Sequence, residues 1–243
     1  QLVIVVAAAN PEPRTGFIDR AVVAAFDAGI EPILCITKTD VRYPQNLLDY
    51  YAASGLKIVL SSSSDGLAPS QEGAAGLESA PVQELLQELL GQVSVLLGHS
   101  GVGKSTLVNA LTGSERATGH VNAVTGRGRH TSSSALALRP VNANGEPMEP
   151  GTWIIDTPGI RSFGLAHVPP ETVVEAFVDL APGAADCPKG CTHAAQAPEC
   201  GLEAYVAAGH AGESGPARLE SLRKLLLLTP EEGDSEKELG ALV

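Results

Sequence analysis

Gly98-His99-Ser100-Gly101-Val102-Gly103-Lys104-Ser105, in the middle of the chain, fills every position of the phosphate-loop pattern G-x-x-x-x-G-K-S. Residues 92–97 just ahead of it, Gln-Val-Ser-Val-Leu-Leu, read as a short buried strand, and residues 106–111 just after it read as the start of a helix. The pattern needs that context. The loop's N–H groups and a helix N-terminus together make a cradle for α- and β-phosphates, so the motif commits the chain to an α/β layer fold. Within the cradle, running from Gly98 to Thr106, Lys104 is expected to reach the β- and γ-phosphates and the Ser105 hydroxyl to ligate Mg²⁺. The pattern implies a nucleoside triphosphate site.

Two further motifs bear on which nucleotide. Trp153-Ile154-Ile155-Asp156-Thr157-Pro158-Gly159 is an apolar strand ending in Asp-x-x-Gly, the arrangement in which GTPases place an Mg²⁺-facing aspartate and a glycine N–H that senses the γ-phosphate. Thr37-Lys38-Thr39-Asp40 follows the apolar run 33–36 and is similar to the guanine-reading Asn-Lys-x-Asp element, with Thr37 in place of Asn. Asp40 would accept from the guanine N1–H and exocyclic amine, a pattern adenine does not offer, and the Lys38 stem would cover the base. Replacing Asn by Thr37 is expected to remove one base contact. In an ordinary GTPase the base motif follows the other two motifs, whereas here it precedes them, as in a circularly permuted domain. Permutation is tolerated because domain termini tend to lie close together at the surface.

Cys187, Cys191, His193 and Cys200 form Cys-x3-Cys-x-His-x6-Cys in a Pro- and Gly-rich stretch. Three thiolates and an imidazole complete a closed tetrahedral structural zinc site. Cys35, isolated on an apolar strand, reads as a small core residue. This cysteine usage suits metal binding in a reducing cytoplasm better than disulfides. The net charge of −12 opposes nucleic-acid binding driven by bulk electrostatics, and no apolar run is long enough to span a membrane.

Together these motifs resemble the ribosome-small-subunit-dependent GTPase A (RsgA) family of bacterial ribosome-maturation factors. Other stretches carry the resemblance too: Ala8-Ala9-Asn10-Pro11, Gly128-Arg129-His130-Thr131, Ile160-Arg161-Ser162-Phe163-Gly164-Leu165 and Arg218-Leu219-Glu220-Ser221-Leu222. The zinc spacing departs from the family's common form by one residue in each of two gaps. The family's N-terminal OB-fold has no counterpart in this chain, which reads as a fragment beginning within a strand. The resemblance implies GTP/GDP with Mg²⁺ and one structural Zn²⁺ per chain, and hydrolysis of GTP that is slow alone and stimulated by the 30S subunit. It also implies contact with 16S rRNA in the full-length protein and a cytoplasmic monomer. Ser61 and Ser62 fall where the family's Ser-Ala loop backs the guanine.

The expected architecture is a circularly permuted P-loop GTPase domain over 1–165, a mostly parallel sheet with helices on both faces. A small, mostly helical zinc-binding domain over 166–230 and an acidic tail over 231–243 follow. Predicted strands cover 2–7, 32–36, 56–60, 92–97, 135–141 and 151–156, the last two as a hairpin around Asn142-Ala143-Asn144-Gly145. Predicted helices cover 16–28, 45–54, 82–90, 171–180, 202–209 and 216–228. Residues 113–134 and 156–165 read as switch segments, with Thr131, or Ser132 one register on, as the switch threonine or serine contacting Mg²⁺. Ile160 stands where a GTPase commonly has its water-orienting glutamine and cannot do that work. The family pattern and the near-neutral titration of imidazole make His130 the candidate catalytic residue. Arg127 and Arg129 are candidates for phosphate or rRNA contacts, or are solvated loop residues. Two other readings fit the phosphate loop: a nucleotide-gated scaffold with incidental hydrolysis, and a P-loop ATPase or kinase.

Overall fold

The computed structural model describes residues 1–62, 80–113, 135–142, 144–158 and 164–227. Six strands form one sheet in the order β3-β2-β1-β4-β6-β5. They are β1 (Leu2–Ala7), β2 (Pro32–Thr37), β3 (Lys57–Leu60), β4 (Val93–Gly98), β5 (Leu136–Leu138) and β6 (Trp153–Asp156). β1 to β4 and β6 pair in parallel, and β5 runs antiparallel to β6. β1 is buried along its whole length, as expected of a central parallel strand covered on both faces. The chain proceeds from β1 outward to β2 and β3, then returns to β4 on the other side of β1. This reversal of strand order is where open parallel sheets bind ligands, beyond their carboxyl ends.

The chain divides into two compact units. The first comprises the described residues of Gln1–Arg14, Glu31–Pro44 and Lys57–Ser162. Its core gathers Val3, Val5 and Ala7 of β1, Ile33 and Cys35 of β2, and Leu96 of β4 with two helices, α3 (Ala80–Leu89) and α4 (Lys104–Thr112). On α3 the buried residues are Val82, Leu85, Leu86 and Leu89, the i, i+3, i+4, i+7 stripe of an amphipathic helix. Burial pushes the Cys35 thiol up to about 12, with Glu84 adding to it, so this cysteine is an inert core residue.

The hairpin expected around Asn142 has a different shape from the prediction. The β5 pairing is only three residues long. Asn142 makes its own turn: Asn142 N–H donates to the Glu146 carbonyl at 2.8 Å, and its side-chain oxygen accepts from Asn144 N–H and Glu146 N–H. Val141 and Pro147 bridge across that turn, and Pro140 and Pro147 lack the N–H groups a longer ladder would need.

The second unit takes in Thr15–Ile30, Gln45–Leu56 and the described residues of Phe163–Val243. It therefore contains α1 (Thr15–Asp27) and α2 (Gln45–Tyr51) along with α5 (Pro170–Ala176), a 3₁₀ segment (Ala181–Asp186), α6 (Gly201–Ala207) and α7 (Gly215–Leu226). The division expected from sequence at 165/166 groups α1 and α2 with the nucleotide domain. Val23 of α1 packs in one apolar cluster with Val173 and Phe177, Leu202, and Leu219, Leu222 and Leu225. The helix predicted over 171–180 stops at Ala176, where Phe177 leaves the helical region (φ −92°, ψ 72°).

A buried polar network crosses this apolar cluster. Arg218 Nε and Nη2 donate to the two oxygens of Asp179, both at 2.8 Å, while Nη1 donates to Asp19 Oδ1 at 2.7 Å. Asp19 also accepts from Tyr51 OH at 2.9 Å, from Tyr50 OH at 3.0 Å and from the Ser221 hydroxyl. Burial pushes the Asp19 carboxyl up; the Arg218 charge and the hydrogen bonds from Ser221, Tyr51 and Tyr50 pull it back. Burial also works against the Arg218 charge, but the Asp179 hydrogen bonds and the two carboxylates overcome it, so Arg218 holds its proton more tightly than usual.

Candidate functional site

β4 delivers the chain to Gly98, and α4 begins at Lys104, so the phosphate loop joins a strand to a helix as the motif requires. A Cβ on Gly98 would lie 2.6 Å from the Val5 carbonyl oxygen, so only glycine lets β4 run beside β1 at this point. Gly103 caps α4 at φ 97°, a backbone region disfavoured for L side chains, and no side chain caps the helix. The first-turn N–H groups of α4 thus carry the positive end of a helix dipole, suited to phosphate. Nearly buried Lys104 donates its ammonium to Asp156 Oδ1 and to the Thr157 carbonyl. Thr157 Oγ1 in turn donates to the Leu96 carbonyl at 2.7 Å, holding the end of β6 against β4. Lysine of the phosphate loop and aspartate of the second motif, which sequence reasoning placed separately, therefore meet as one pair.

The base motif reaches the same loop from β2. Thr37 Oγ1 donates to the Val102 carbonyl, with the Val6 carbonyl also 3.2 Å away. Lys38, at φ 58°, donates to the Asn10 carbonyl at 2.5 Å and to the Gly101 carbonyl at 2.7 Å. Burial lowers the Lys38 pKa from its ordinary value. Beside the weakened base contact expected of Thr37, its hydroxyl fastens the phosphate loop, a role the motif alone does not reveal. Asp40 stands at the exposed end of the loop. Thr39 donates both its N–H and its hydroxyl to the Ser61 carbonyl at 3.1 Å, bringing the 61–62 segment beside the motif. Ser61 Oγ is buried and has no hydrogen-bond partner among the described residues, so it fits a ligand that can supply one. Arg42 clamps the Ala8 carbonyl and Glu12, which sequence reasoning also missed.

Gly159, Ile160, Arg127, Arg129, His130, Thr131 and Ser132 lie outside the described residues, as do the acidic tail, residues 114–134 of the first switch segment and residues 159–163 of the second.

The four metal-type residues converge in the second unit. The ligand atoms of Cys187, Cys191, His193 and Cys200 all lie within 4.8 Å of one another. The His193 nitrogen facing the thiols is Nδ1, 3.5 Å from Cys187 Sγ and 3.8 Å from Cys200 Sγ. A tetrahedron around Zn²⁺ with Zn–S bonds of about 2.3 Å has edges of roughly 3.8 Å, so donor chemistry and spacing both fit zinc. Burial and the nearby Arg223 charge lower the His193 pKa, keeping the ring neutral and its lone pair available for a metal. Gly201 N–H donates to Cys187 Sγ and His193 N–H to Cys191 Sγ, and Arg223 Nε braces the His193 carbonyl at 2.9 Å. These are the outer contacts that orient metal ligands. The cluster walls a cavity of about 830 Å³ that Pro170, Arg223 and Leu226 also line.

The family model for the RsgA GTPase matches residues 1–166. The small ribosomal subunit biogenesis GTPase RsgA of Pseudomonas aeruginosa is 35% identical over 237 residues, covering 94% of this chain and 62% of that protein. Its Azotobacter vinelandii counterpart is 36% identical over 231 residues, with coverage of 94% and 62%. The chain thus spans less than two thirds of these relatives. Among solved structures, YjeQ from Thermotoga maritima superposes with a TM-score of 0.61 at 25% identity, over 93% of this chain and 71% of that one. YloQ, described as a circularly permuted GTPase, superposes with a TM-score of 0.62 at 22% identity, over 95% and 69%. The permuted order of motifs therefore has its counterpart in the fold, and the chain belongs to the RsgA GTPase family.

Proposed function

We propose that this chain binds GTP and GDP with Mg²⁺, hydrolyses GTP, and couples its nucleotide state to late maturation of the small ribosomal subunit. The observation that carries the reading is the convergence on one loop. Lys104 pairs with Asp156, while Thr37 and Lys38 bind the loop carbonyls of Val102 and Gly101. These contacts support reading the phosphate, metal and base elements as one site. In it the loop N–H groups from Gly98 to Thr106 hold phosphate oxygens, Lys104 neutralises their charge, and Ser105, Thr131 and Asp156 hold the metal. The Gly159 N–H senses the γ-phosphate. Asp40 reads guanine, with Lys38, Ser61 and Ser62 around the base. Mg²⁺, when bound, polarises the phosphate and offsets developing negative charge.

His130 orients the attacking water in this scheme. Cys187, Cys191, His193 and Cys200 hold one structural Zn²⁺. In this reading residues 1–165 serve the nucleotide and residues 166–230 the zinc site. The protein acts as a cytoplasmic monomer. Its net charge of −12 means that rRNA contact uses local patches or segments of a longer protein. Ile160 favours a second reading, a nucleotide-gated scaffold whose hydrolysis is incidental. Single-turnover GTP hydrolysis with and without 30S subunits tests the proposal. Acceleration by the subunit supports it, and an unchanged rate with nucleotide-dependent subunit binding favours the scaffold.

A further inference from the structure

The stretch Arg218-Leu219-Glu220-Ser221-Leu222 has no place in the phosphate, base or metal sites, yet it holds the most heavily hydrogen-bonded buried side chain among the described residues of α7. Arg218 and Ser221, one helical turn apart, both reach Asp19 on α1, and Asp19 binds Tyr50 and Tyr51 on α2. The Arg218 guanidinium also lies over three rings, 4.5 Å from Phe177, 5.4 Å from Tyr50 and 5.3 Å from Tyr51. α2 is only seven residues long, too short to hold its shape by local hydrogen bonds. Its place is set by tertiary contacts, and its paired tyrosines make the polar ones.

Both helices follow segments of the candidate base site in the sequence. Asn10, which accepts from Lys38, stands just ahead of α1, and Asp40 stands just ahead of α2. The phosphate loop belongs to β4 and α4, and neither is contiguous in sequence with α1 or α2. We propose that Arg218 is a positioning residue for the guanine site: by fixing Asp19 on α1 and the tyrosines on α2, it sets the order of the chain at 8–14 and 38–44. This rests on the guanine reading above. It makes a directional claim: releasing the network weakens recognition of the base more than it weakens the phosphate cradle, which these segments touch through Lys38 and the Gly101 carbonyl.

The test uses the full chain and Arg218→Met, which keeps an apolar stem and removes every guanidinium hydrogen bond. Fluorescent GDP is titrated, and inorganic pyrophosphate is then used as a competitor. GDP affinity should fall about 5- to 30-fold, the usual range for coupling through packed elements, while pyrophosphate affinity falls by clearly less; an equal fall for both ligands would overturn the directional claim. Amide hydrogen exchange should accelerate over 38–44. If Arg218→Met lowers thermal stability but leaves GDP affinity and exchange at 38–44 unchanged, the network is only structural and the inference is overturned. Should that variant lose cooperative unfolding, the pair Tyr50→Phe and Tyr51→Phe releases α2 alone and is read by the same two outcomes. An unmutated chain that fails to bind GDP refutes the guanine reading itself, whereas one that binds GDP beside an unaffected variant refutes only the role of Arg218.

Discussion

Replacing Thr37 with Val separates the two roles a base-motif residue at this position could have. Val keeps the volume of the buried side chain and deletes its hydroxyl, and with it the donation to the Val102 carbonyl. A hydrogen bond of this kind contributes roughly 0.5–1.5 kcal/mol net, and a buried acceptor left without a donor costs about 1–3 kcal/mol. The substitution should therefore destabilise the first unit by about 1–3 kcal/mol. To the extent that nucleotide binding must re-order the loop, affinity falls by about tenfold per 1.4 kcal/mol, so roughly 5- to 100-fold. Val102 belongs to the phosphate loop, so GDP, ADP and pyrophosphate should all weaken together, and the ratio of GDP to ADP affinity should not move. Calorimetric titration of the three ligands measures this directly, with Thr37→Ser as the control that keeps the hydroxyl. Loss of GDP affinity alone would show that Thr37 reads the base, and unchanged affinity for all three would show that the loop needs no fastening.

Asp40→Ala should show the opposite pattern. GDP binding should weaken by about 2–4 kcal/mol, because guanine donors lose their acceptor, while ADP binding holds, as competition titrations would report. Protein purified without chelator should carry one zinc per chain by elemental analysis. Cys200→Ser, or a chelator entering by the cavity beside the cluster, should lower that content and the melting temperature of the helical unit; a metal content near zero in unmutated protein rules the zinc site out. His130→Ala should lower the 30S-stimulated rate roughly 10²- to 10⁴-fold with nucleotide affinity nearly unchanged, as single-turnover kinetics would show. A retained stimulated rate means the water is oriented by another group.

The strands and the three nucleotide motifs were legible because each is a local signal: an apolar run of strand length, then glycines or a charged tripeptide at its end. The Cys/His spacing was legible for the same reason. What joins the motifs was not. Thr37 and Val102 are 65 residues apart and Lys104 and Asp156 are 52 apart, so no window of sequence contains either pair. Arg218 and Asp19 are 199 apart, so no local signal joins α1 to α7. One signal was available. Asp19 falls one turn before Val23 on the buried face of α1, and Arg218 falls on the same face of α7 as Leu222 and Leu225. A charge on an apolar stripe calls for a partner of opposite sign. The short β5 pairing had a weaker cue in Pro140 and Pro147.

The central claim is that the base motif and the phosphate loop form one guanine-nucleotide site. It is tested most directly by titrating the same protein with fluorescent GDP and fluorescent ADP in the presence of Mg²⁺. The account predicts that GDP binds at least about 100-fold more tightly, the discrimination expected when a site's buried polar groups pair with one base and not the other. Equal affinities for the two nucleotides would contradict it.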